Sequence, residues 1–210
     1  MKKRNFGVIF IVLGLICLGA AFWLLMQNRA EEENAALAVR QAAPQLVEAL
    51  DQRREELANA PVSTLPLFIQ NQEPDPNREM PTTTIDGHEY VGYLVIPALE
   101  LELPIMSGWS YPKLRIAPCR YSGSLYLDNL VLMAHNYKRH FGGIKDLRPG
   151  DQIFFTDLDG ETVEYEVIAL DVLQPSAIED MTAGEFDLTL FTCTYGGKSR
   201  VTVRCDRVEE

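Results

Sequence analysis

The stretch "LTLFTCTYGGKSRVTVR", residues 188–204, contains two apolar runs on either side of a short polar turn. Both runs carry Val, Thr or Phe, which favour β-strands, and the Gly-Gly turn between them is typical of a hairpin. A hairpin would set Cys193, at the end of one strand, beside Arg200, at the start of the next. Because a nearby cation favours the thiolate form of cysteine, the stretch predicts a reactive thiol at the rim of a sheet.

Runs of similar length continue through the chain from Tyr90 onward. Apolar or alternating segments bounded by turn residues predict seven strands, at 90–96, 99–105, 129–134, 151–157, 162–173, 187–193 and 200–208. Short helical turns are expected near 109–114, 141–147 and 176–181. Seven or eight mostly antiparallel strands in one domain predict an all-β fold, either a closed barrel or a sandwich.

The N-terminus has the composition of a membrane anchor. Three basic residues at positions 2–4 precede the uncharged run "FGVIFIVLGLICLGAAFWLLM", residues 6–26, which is long enough to cross a bilayer as a helix. Trp23 suits the far membrane interface, and the basic flank predicts a cytoplasmic N-terminus with the remainder facing outward. A cleaved signal peptide is the alternative, but the apolar run is long for one and lacks a small-residue cleavage site.

The segments between the anchor and the β domain differ in composition. Residues 30–60 are rich in helix-forming Ala, Glu, Leu, Gln and Arg, with Pro44 as an interruption, and predict a helical stalk. Its leucines make only a thin stripe, which favours a solvated spacer. We divide the chain into a basic flank with a transmembrane helix (1–29), the stalk (30–60), a Pro-rich linker (61–84) and a catalytic β-barrel domain (85–210).

A thiol nucleophile needs a proton-transfer partner, and the chain has three histidines. His135 directly follows the predicted strand 129–134, so it projects from a strand terminus as Cys193 does. His88 and His140 fall in predicted surface turns. The predicted catalytic set is therefore His135, Cys193 and Arg200, and Arg204, on the same face of the last strand, is the alternative arginine.

Composition bears on partners and cofactors. The net charge of −11, with its scattered basic residues, argues against a nucleic-acid partner. We expect no cofactor and no metal: a zinc site from Cys193, His135 and His140 lacks paired ligand spacing. Calcium remains open because of carboxylates at positions 100, 102 and 161. Cys119 and Cys205 can either pair or remain buried free thiols.

Three motifs together resemble the sortases, the membrane-anchored cysteine transpeptidases of Gram-positive bacteria. The sites of these enzymes combine a His after a β-strand, a Thr-Leu-x-Thr-Cys box and an Arg on the last strand. Here they correspond to "LVLMAHN", a complete box at 189–193 and Arg200. The resemblance spans about residues 89–208, with "VGYLVIP" and "HFGGIKDLRPGDQIFF". Ala134 replaces a glycine common in the family, and the interval from Cys193 to Arg200 is short for it.

The resemblance implies a closed sortase-type β-barrel of seven to eight strands, a mechanism and partners. Cys193 would attack a carbonyl in a C-terminal sorting motif of a secreted protein, and a cell-wall amine would resolve the thioester. His135 would transfer protons, Arg200 would steady the oxyanion, and Thr192 and Ala134 would line the substrate pocket. The loop 174–187 would shape recognition of the motif. The protein would be a single-pass protein of the cell membrane with an extracellular catalytic domain.

Two other functions remain open. A hydrolytic cysteine peptidase is disfavoured because papain-like enzymes place Cys before His and carry a signature that this chain lacks. A non-catalytic, membrane-tethered module that binds the cell wall is the second. Within the sortases, the lack of a C-terminal span and the Asp75-Pro76-Asn77 sequence, which lacks the aromatic of a class C lid, favour a class B- or D-like member.

Overall fold

The computed structural model describes residues 2–59 and 77–209, so most of the predicted linker lies outside the described residues. The α-helices in these ranges are α1 (Lys2–Asn59), α2 (Tyr111–Leu114) and α3 (Ile178–Thr182). The strands are β1 (Thr83–Ile85), β2 (His88–Ile96), β3 (Leu101–Met106), β4 (Cys119–Ser122), β5 (Leu130–Ala134), β6 (Gln152–Asp157), β7 (Thr162–Leu173), β8 (Leu188–Cys193) and β9 (Arg200–Arg207). Short 3-10 helices cover Pro97–Leu99, Leu125–Leu127, Phe141–Asp146 and Tyr195–Gly197.

The strands form one closed barrel. Their order is β1-β2-β3-β4-β5-β8-β9-β7-β6, and a further pairing of β2 with β6 closes the eight strands from β2 to β9. The pairs β3–β4 and β5–β8 are parallel, and the others are antiparallel. The predicted barrel with short helices is confirmed. The sequence reading missed β1 and β4 because three- and four-residue strands are too short to show a periodic pattern.

Side-chain alternation sorts the strands around the site into two faces. In β5 and β8, Leu132 and Leu190 point into the fully buried barrel interior. Val131 and Phe191 lie on the opposite, outer face, where they pack with Met181 from α3. Because the period of a strand is two residues, each position near the site belongs to one face or the other.

Helix α1 has two halves with different surroundings. It runs unbroken for 58 residues through Pro44. Among the described residues it is the one helix long and apolar enough to cross a membrane, with a mean hydropathy of 2.7 in a stretch that is not buried at all. Its second half packs on the barrel through buried residues spaced three or four apart: Ala35, Val39, Ala42, Leu46 and Leu50.

The expectation of a solvated spacer over 30–60 is therefore wrong. The leucine stripe was a poor guide, since Leu37 is 53% exposed while the small residues Ala35 and Ala42 are buried. Alanines in a helix face allow the helix backbone to approach the barrel closely. A helix face with few large apolar residues can therefore still pack against the barrel. The burial of this face stabilises the helix on the barrel.

Candidate active site

Cys193 and Arg200 occupy the end of the β8–β9 hairpin. They are direct register partners in the antiparallel ladder, as the sequence predicts. Both side chains are partly exposed, whereas the next residue inward on β8, Thr192, is buried. The thiol therefore lies at the lip of the barrel, where a substrate can reach it.

His135 reaches the same end of the barrel through a different neighbour of β8. The parallel register of β5 and β8 pairs Ala134 with Thr192, so His135, the next residue, emerges alongside Cys193. The three strands β5, β8 and β9 are adjacent in the sheet. We call His135, Cys193 and Arg200 the rim.

The turn between Cys193 and Arg200 is held by its own hydrogen bonds. The Thr194 backbone N–H donates to the Ser199 carbonyl oxygen at 2.9 Å, and the Ser199 N–H donates to the Thr194 hydroxyl at 3.0 Å. Arg200 Nη1 donates to the carbonyl oxygens of Gly197 and Ser199, at 3.3 and 3.2 Å. These contacts tether the guanidinium at the rim and leave its Nη2 and Nε outside the hydrogen bonds of the turn.

Arg204, the alternative arginine, occupies a different environment. It is 5% exposed, and its Nε lies 3.3 Å from Asp171 Oδ2. Its Nη1 donates to the Thr189 hydroxyl at 3.2 Å, and its Nη2 donates to the Asp180 carbonyl oxygen at 2.6 Å. Arg204 thus fastens the loop 174–187, including α3, onto the outer face of β8 and β9.

An apolar surface lies beside the rim on this outer face. Its buried members are Val131, Met181 and Phe191, and we call it the apolar floor. An aromatic ladder extends from it: Phe191 contacts Tyr121 edge-on with ring centroids 5.3 Å apart, and Tyr121 stacks on Trp109 at 5.7 Å. Cys193 shares the face of Phe191 by strand alternation, so the thiol lies at the end of this floor.

Three features of its environment shift the pKa of His135. Burial lowers its pKa, the Arg115 cation lowers it further, and the Glu31 carboxylate of α1 opposes both by raising it. The Tyr137 ring lies against the imidazole, with centroids 4.8 Å apart. A lowered pKa keeps the ring neutral near pH 7, which is the form that can accept a proton.

The other two histidines lie elsewhere. His88 opens β2 and pairs with Ile85 of β1. His140 is completely buried instead of lying on the surface, and desolvation lowers its pKa to about 4. The surface location predicted for His140 is therefore wrong: its loop folds inward beneath Tyr137, whose ring lies 5.4 Å away.

Thr192 and Ala134 fasten the two strands that carry the thiol and the imidazole. The Thr192 hydroxyl donates to the Ala134 carbonyl oxygen at 2.8 Å, and both residues are 4% exposed. Ala134 faces the barrel interior with the core residues of β5. This geometry gives both residues a positioning role, while their contact with substrate stays a prediction.

The remaining ambiguities of the sequence concern thiols and metals. Cys119 and Cys205 are both free and fully buried, and burial raises the pKa of both thiols, that of Cys119 to about 12. They belong to separate core clusters. Of the carboxylates considered for calcium, Glu102 accepts from the Tyr93 hydroxyl and Glu161 pairs with Arg78. Within 2–59 and 77–209, no three His, Cys, Asp or Glu residues gather as metal ligands.

Sequence reasoning missed three residues around His135. Glu31 and Tyr137 are 106 positions apart in the chain, and no local pattern links them. Arg115 follows α2, a four-residue helix that carries no charge motif. Tyr137 alone had a signal, an aromatic residue two positions after the candidate histidine.

Comparisons with known proteins agree with the barrel. The sequence model of the sortase domain matches residues 94–208, more than half of the chain. Sortase A of Bacillus anthracis is 25% identical over 204 residues, which cover 91% of this chain and 88% of that protein. The crystal structure of sortase C1 from Streptococcus suis is 29% identical with a TM-score of 0.51, over 59% of this chain and 75% of the other. Sortase A of Corynebacterium diphtheriae, 22% identical, shares the fold with a TM-score of 0.53 over 91% of this chain and 96% of the other.

Proposed function

Because the chain belongs to the sortase family, whose members are cysteine transpeptidases, we propose that it cleaves a C-terminal sorting motif of secreted proteins and transfers them to a cell-wall amine. Cys193 is the nucleophile, His135 the general acid and base, and Arg200 the stabiliser of the oxyanion. The proposal rests above all on one observation: Cys193 pairs in register with Arg200, and His135 emerges from the strand on the other side of the thiol.

In the first half-reaction, the Cys193 thiolate attacks a backbone carbonyl carbon of the motif and forms a C–S bond. The carbonyl electrons move to its oxygen, and the Arg200 guanidinium, tethered by the turn carbonyls, stabilises that charge. The oxyanion collapses and the C–N bond breaks. His135, which acts in this step in its protonated form although the neutral form dominates near pH 7, gives its proton to the departing amine. A thioester on Cys193 and a neutral imidazole remain.

In the second half-reaction, the amine of a cell-wall precursor attacks the thioester carbon. Neutral His135 accepts the proton that the amine loses, a new C–N bond forms, and the C–S bond breaks to return the thiolate. The neutral form required here is the one that burial and Arg115 favour. The two half-reactions regenerate the starting enzyme without any other reagent.

The apolar floor supports a peptide substrate of extended shape. It runs from Phe191 toward Tyr121 and Trp109, and Arg204 holds the loop 174–187 over it. Because the members of the floor are already buried, apolar side chains of a sorting motif can pack on the partly buried Tyr121 and the exposed Trp109 while the scissile bond lies at Cys193. The prediction that Thr192 and Ala134 also contact the motif belongs to this proposal.

Membrane attachment gives the reaction its location. The exposed apolar half of α1 can cross a bilayer, and the basic flank at positions 2–4 favours a cytoplasmic N-terminus. The barrel then lies outside the cell, where both secreted proteins and wall precursors are available. A class B- or D-like assignment within the family stays a prediction.

The deciding experiment uses the full chain in detergent micelles with a set of candidate sorting peptides and an amine. We expect mass spectrometry to show an acyl adduct on Cys193 and an amine-capped product, and we expect both to disappear in Cys193→Ser. A product carrying water instead of the amine at every amine concentration would make the enzyme a hydrolytic peptidase. Absence of any adduct with every peptide, with wall binding unchanged in Cys193→Ser, would favour a non-catalytic binding module.

A further inference from the structure

The docked half of α1 reaches the loop that carries His135. The Glu32 carboxylate accepts a hydrogen bond from the Lys138 backbone N–H at 2.8 Å, and the Glu31 carboxylate accepts one from the Tyr137 hydroxyl at 3.4 Å. Both carboxylates are partly buried, unlike that of Glu33, which is exposed. Two consecutive residues of the stalk thus bind two consecutive residues of the loop.

The loop itself is well defined by the backbone. The Tyr137 carbonyl oxygen accepts hydrogen bonds from the N–H groups of His140 and Gly142, at 3.0 and 2.9 Å, and the Phe141 N–H donates to the His135 carbonyl oxygen at 3.2 Å. At Gly142 a Cβ would lie 2.6 Å from the Asn136 carbonyl oxygen, so only glycine fits this close turn. These hydrogen bonds fix the position of Tyr137 relative to His135, so a displacement of Tyr137 also displaces His135.

Tyr137 is also the residue that contacts the imidazole. Its ring lies against that of His135 at a tilt of 34°, with centroids 4.8 Å apart, and its hydroxyl meets Glu31. The ring therefore connects a carboxylate of the stalk to the candidate acid and base of the site. Deleting the hydroxyl would keep the ring contact and break the connection to the stalk.

The charges around His135 come from four directions. Arg115, after α2, disfavours a positive charge there, whereas His140, in the same loop, is buried with its pKa lowered to about 4 and is itself neutral near pH 7. Cys193 and Arg200 lie on the neighbouring strands β8 and β9. Glu31 contributes the negative charge that most clearly opposes Arg115 and burial, and it comes from outside the barrel, on the membrane-anchoring helix.

We propose that Glu31 and Glu32 are positioning residues of the active site, which orient His135 through Tyr137 and Lys138. The negative charge of Glu31 also favours the protonated imidazole. This inference deepens the proposed function and rests on it for the role of His135. The acid form is the one needed for release of the leaving amine, so the stalk serves the first half-reaction. The membrane anchor and the catalytic machinery then form one unit.

The contact also fixes the distance of the site from the lipid. Glu31 is five positions after Met26, where the apolar run ends, and a helix rises about 1.5 Å per residue, so the contact lies only about 8 Å from the end of the membrane-crossing run. The rim is thus held close to the membrane surface. A solvated stalk would instead leave the barrel free to move away.

The test measures the protonation of His135 directly. With only three histidines, the full chain in lipid nanodiscs, labelled at the imidazole Cε1, gives a spectrum that single substitutions can assign. We expect the pKa of His135 to fall in Glu31→Gln and to stay unchanged in Glu33→Gln, the matched control one helical position outside the contact. An unchanged His135 titration in Glu31→Gln would overturn the proposal.

A double-mutant cycle tests the route through Tyr137. Tyr137→Phe and Glu31→Ala should each lower kcat by about tenfold with little change in KM, and the double variant should lose no more than Glu31→Ala alone, since both substitutions remove the hydrogen bond between the Tyr137 hydroxyl and the Glu31 carboxylate. Additive losses would refute the route. Glu32→Gln, which keeps an acceptor for the Lys138 N–H, should retain most activity, whereas Glu32→Ala should not.

The two proposals fail separately. If no peptide is transferred and the His135 titration still moves in Glu31→Gln, the transpeptidase function is wrong and the stalk contact stands. If transfer proceeds and the titration is the same in all variants, the function stands and the stalk is only an anchor.

Discussion

Two regions of the barrel contain the same three residue types in opposite environments. The rim has His135, Cys193 and Arg200, which are all partly exposed. A buried set, which we define as His140, Cys205 and Arg204, is 0%, 0% and 5% exposed. Burial lowers the pKa of His140, raises that of Cys205 and confines Arg204 to fixed partners. Position on the strands, more than residue type, thus decides which thiol, imidazole and guanidinium can act on a substrate.

The largest contrast should be between the two cysteines. We expect Cys193→Ala to abolish peptide transfer, a loss of more than about a thousandfold, because no other thiol can form the thioester. Cys205→Ala should keep activity and cost about 1–2 kcal/mol of unfolding free energy, since it removes a buried sulfur from the core. Transfer rates and urea denaturation of the full chain check both. Peptide transfer by Cys193→Ala would contradict the assignment of Cys193, in contrast to Cys205, as the reactive thiol.

The arginines should separate next. Arg200→Gln should lower kcat by roughly 10²–10³-fold with unchanged stability, because it removes the guanidinium charge that we propose stabilises the oxyanion. Arg200→Lys should have a kcat between those of the wild type and Arg200→Gln, because lysine keeps the positive charge but lacks the planar guanidinium with its paired N–H donors. Single-turnover formation of the acyl adduct is the measurement. If Arg204→Lys lost the adduct and Arg200→Gln formed it normally, the two roles would have to be exchanged.

Arg204 is expected to act on the loop instead. Arg204→Met leaves the carbonyl oxygens of Asp180 and Met181 without their donor and should cost about 2 kcal/mol of stability. With the loop 174–187 loosened over the apolar floor, KM for the sorting peptide should rise several-fold while kcat changes less. Asp171→Asn, which keeps the side-chain shape, is the milder companion variant. A fall in the kcat of Arg204→Met with unchanged KM would contradict the assignment of Arg204 to the loop and not to the chemical step.

Local patterns predicted most of the barrel and half of the site. The alternation in residues 162–173 and the apolar run before Cys193 gave strands with nearly correct ends, and the Gly-Gly turn gave the Cys193–Arg200 register. The placement of His135 beside Cys193 needed the parallel pairing of β5 with β8, which joins residues 58 positions apart. No local periodicity encodes such a pairing, so the sequence placed His135 at a strand terminus but did not identify that strand as the neighbour of the one that carries Cys193.

Helix α1 shows a second reason for failure. Its buried face contains Ala35 and Ala42, which contribute little to a hydropathy stripe but allow close packing on β2 and β3. The solvated spacer was predicted from the leucines alone, which do not mark the face that docks. The contact between Glu31 and Tyr137 was not predicted either, because it can be inferred only once the helix is known to lie on the barrel.

A further contrast, in the pH dependence of stability, involves His140. Its pKa is lowered to about 4 in the folded chain by burial, from an ordinary value of 6.5. Between these values the unfolded chain binds a proton that the folded chain excludes, so stability should fall as the pH is lowered from 6.5 toward 4, by roughly 1.4 kcal/mol per pH unit from this group. His140→Phe, which keeps an aromatic ring beneath Tyr137, should flatten that slope, and His88→Phe, at the start of β2, should leave it as in the wild type. Urea denaturation at several pH values measures the slope, and equal slopes in wild type and His140→Phe would mean that the buried imidazole accepts its proton without unfolding.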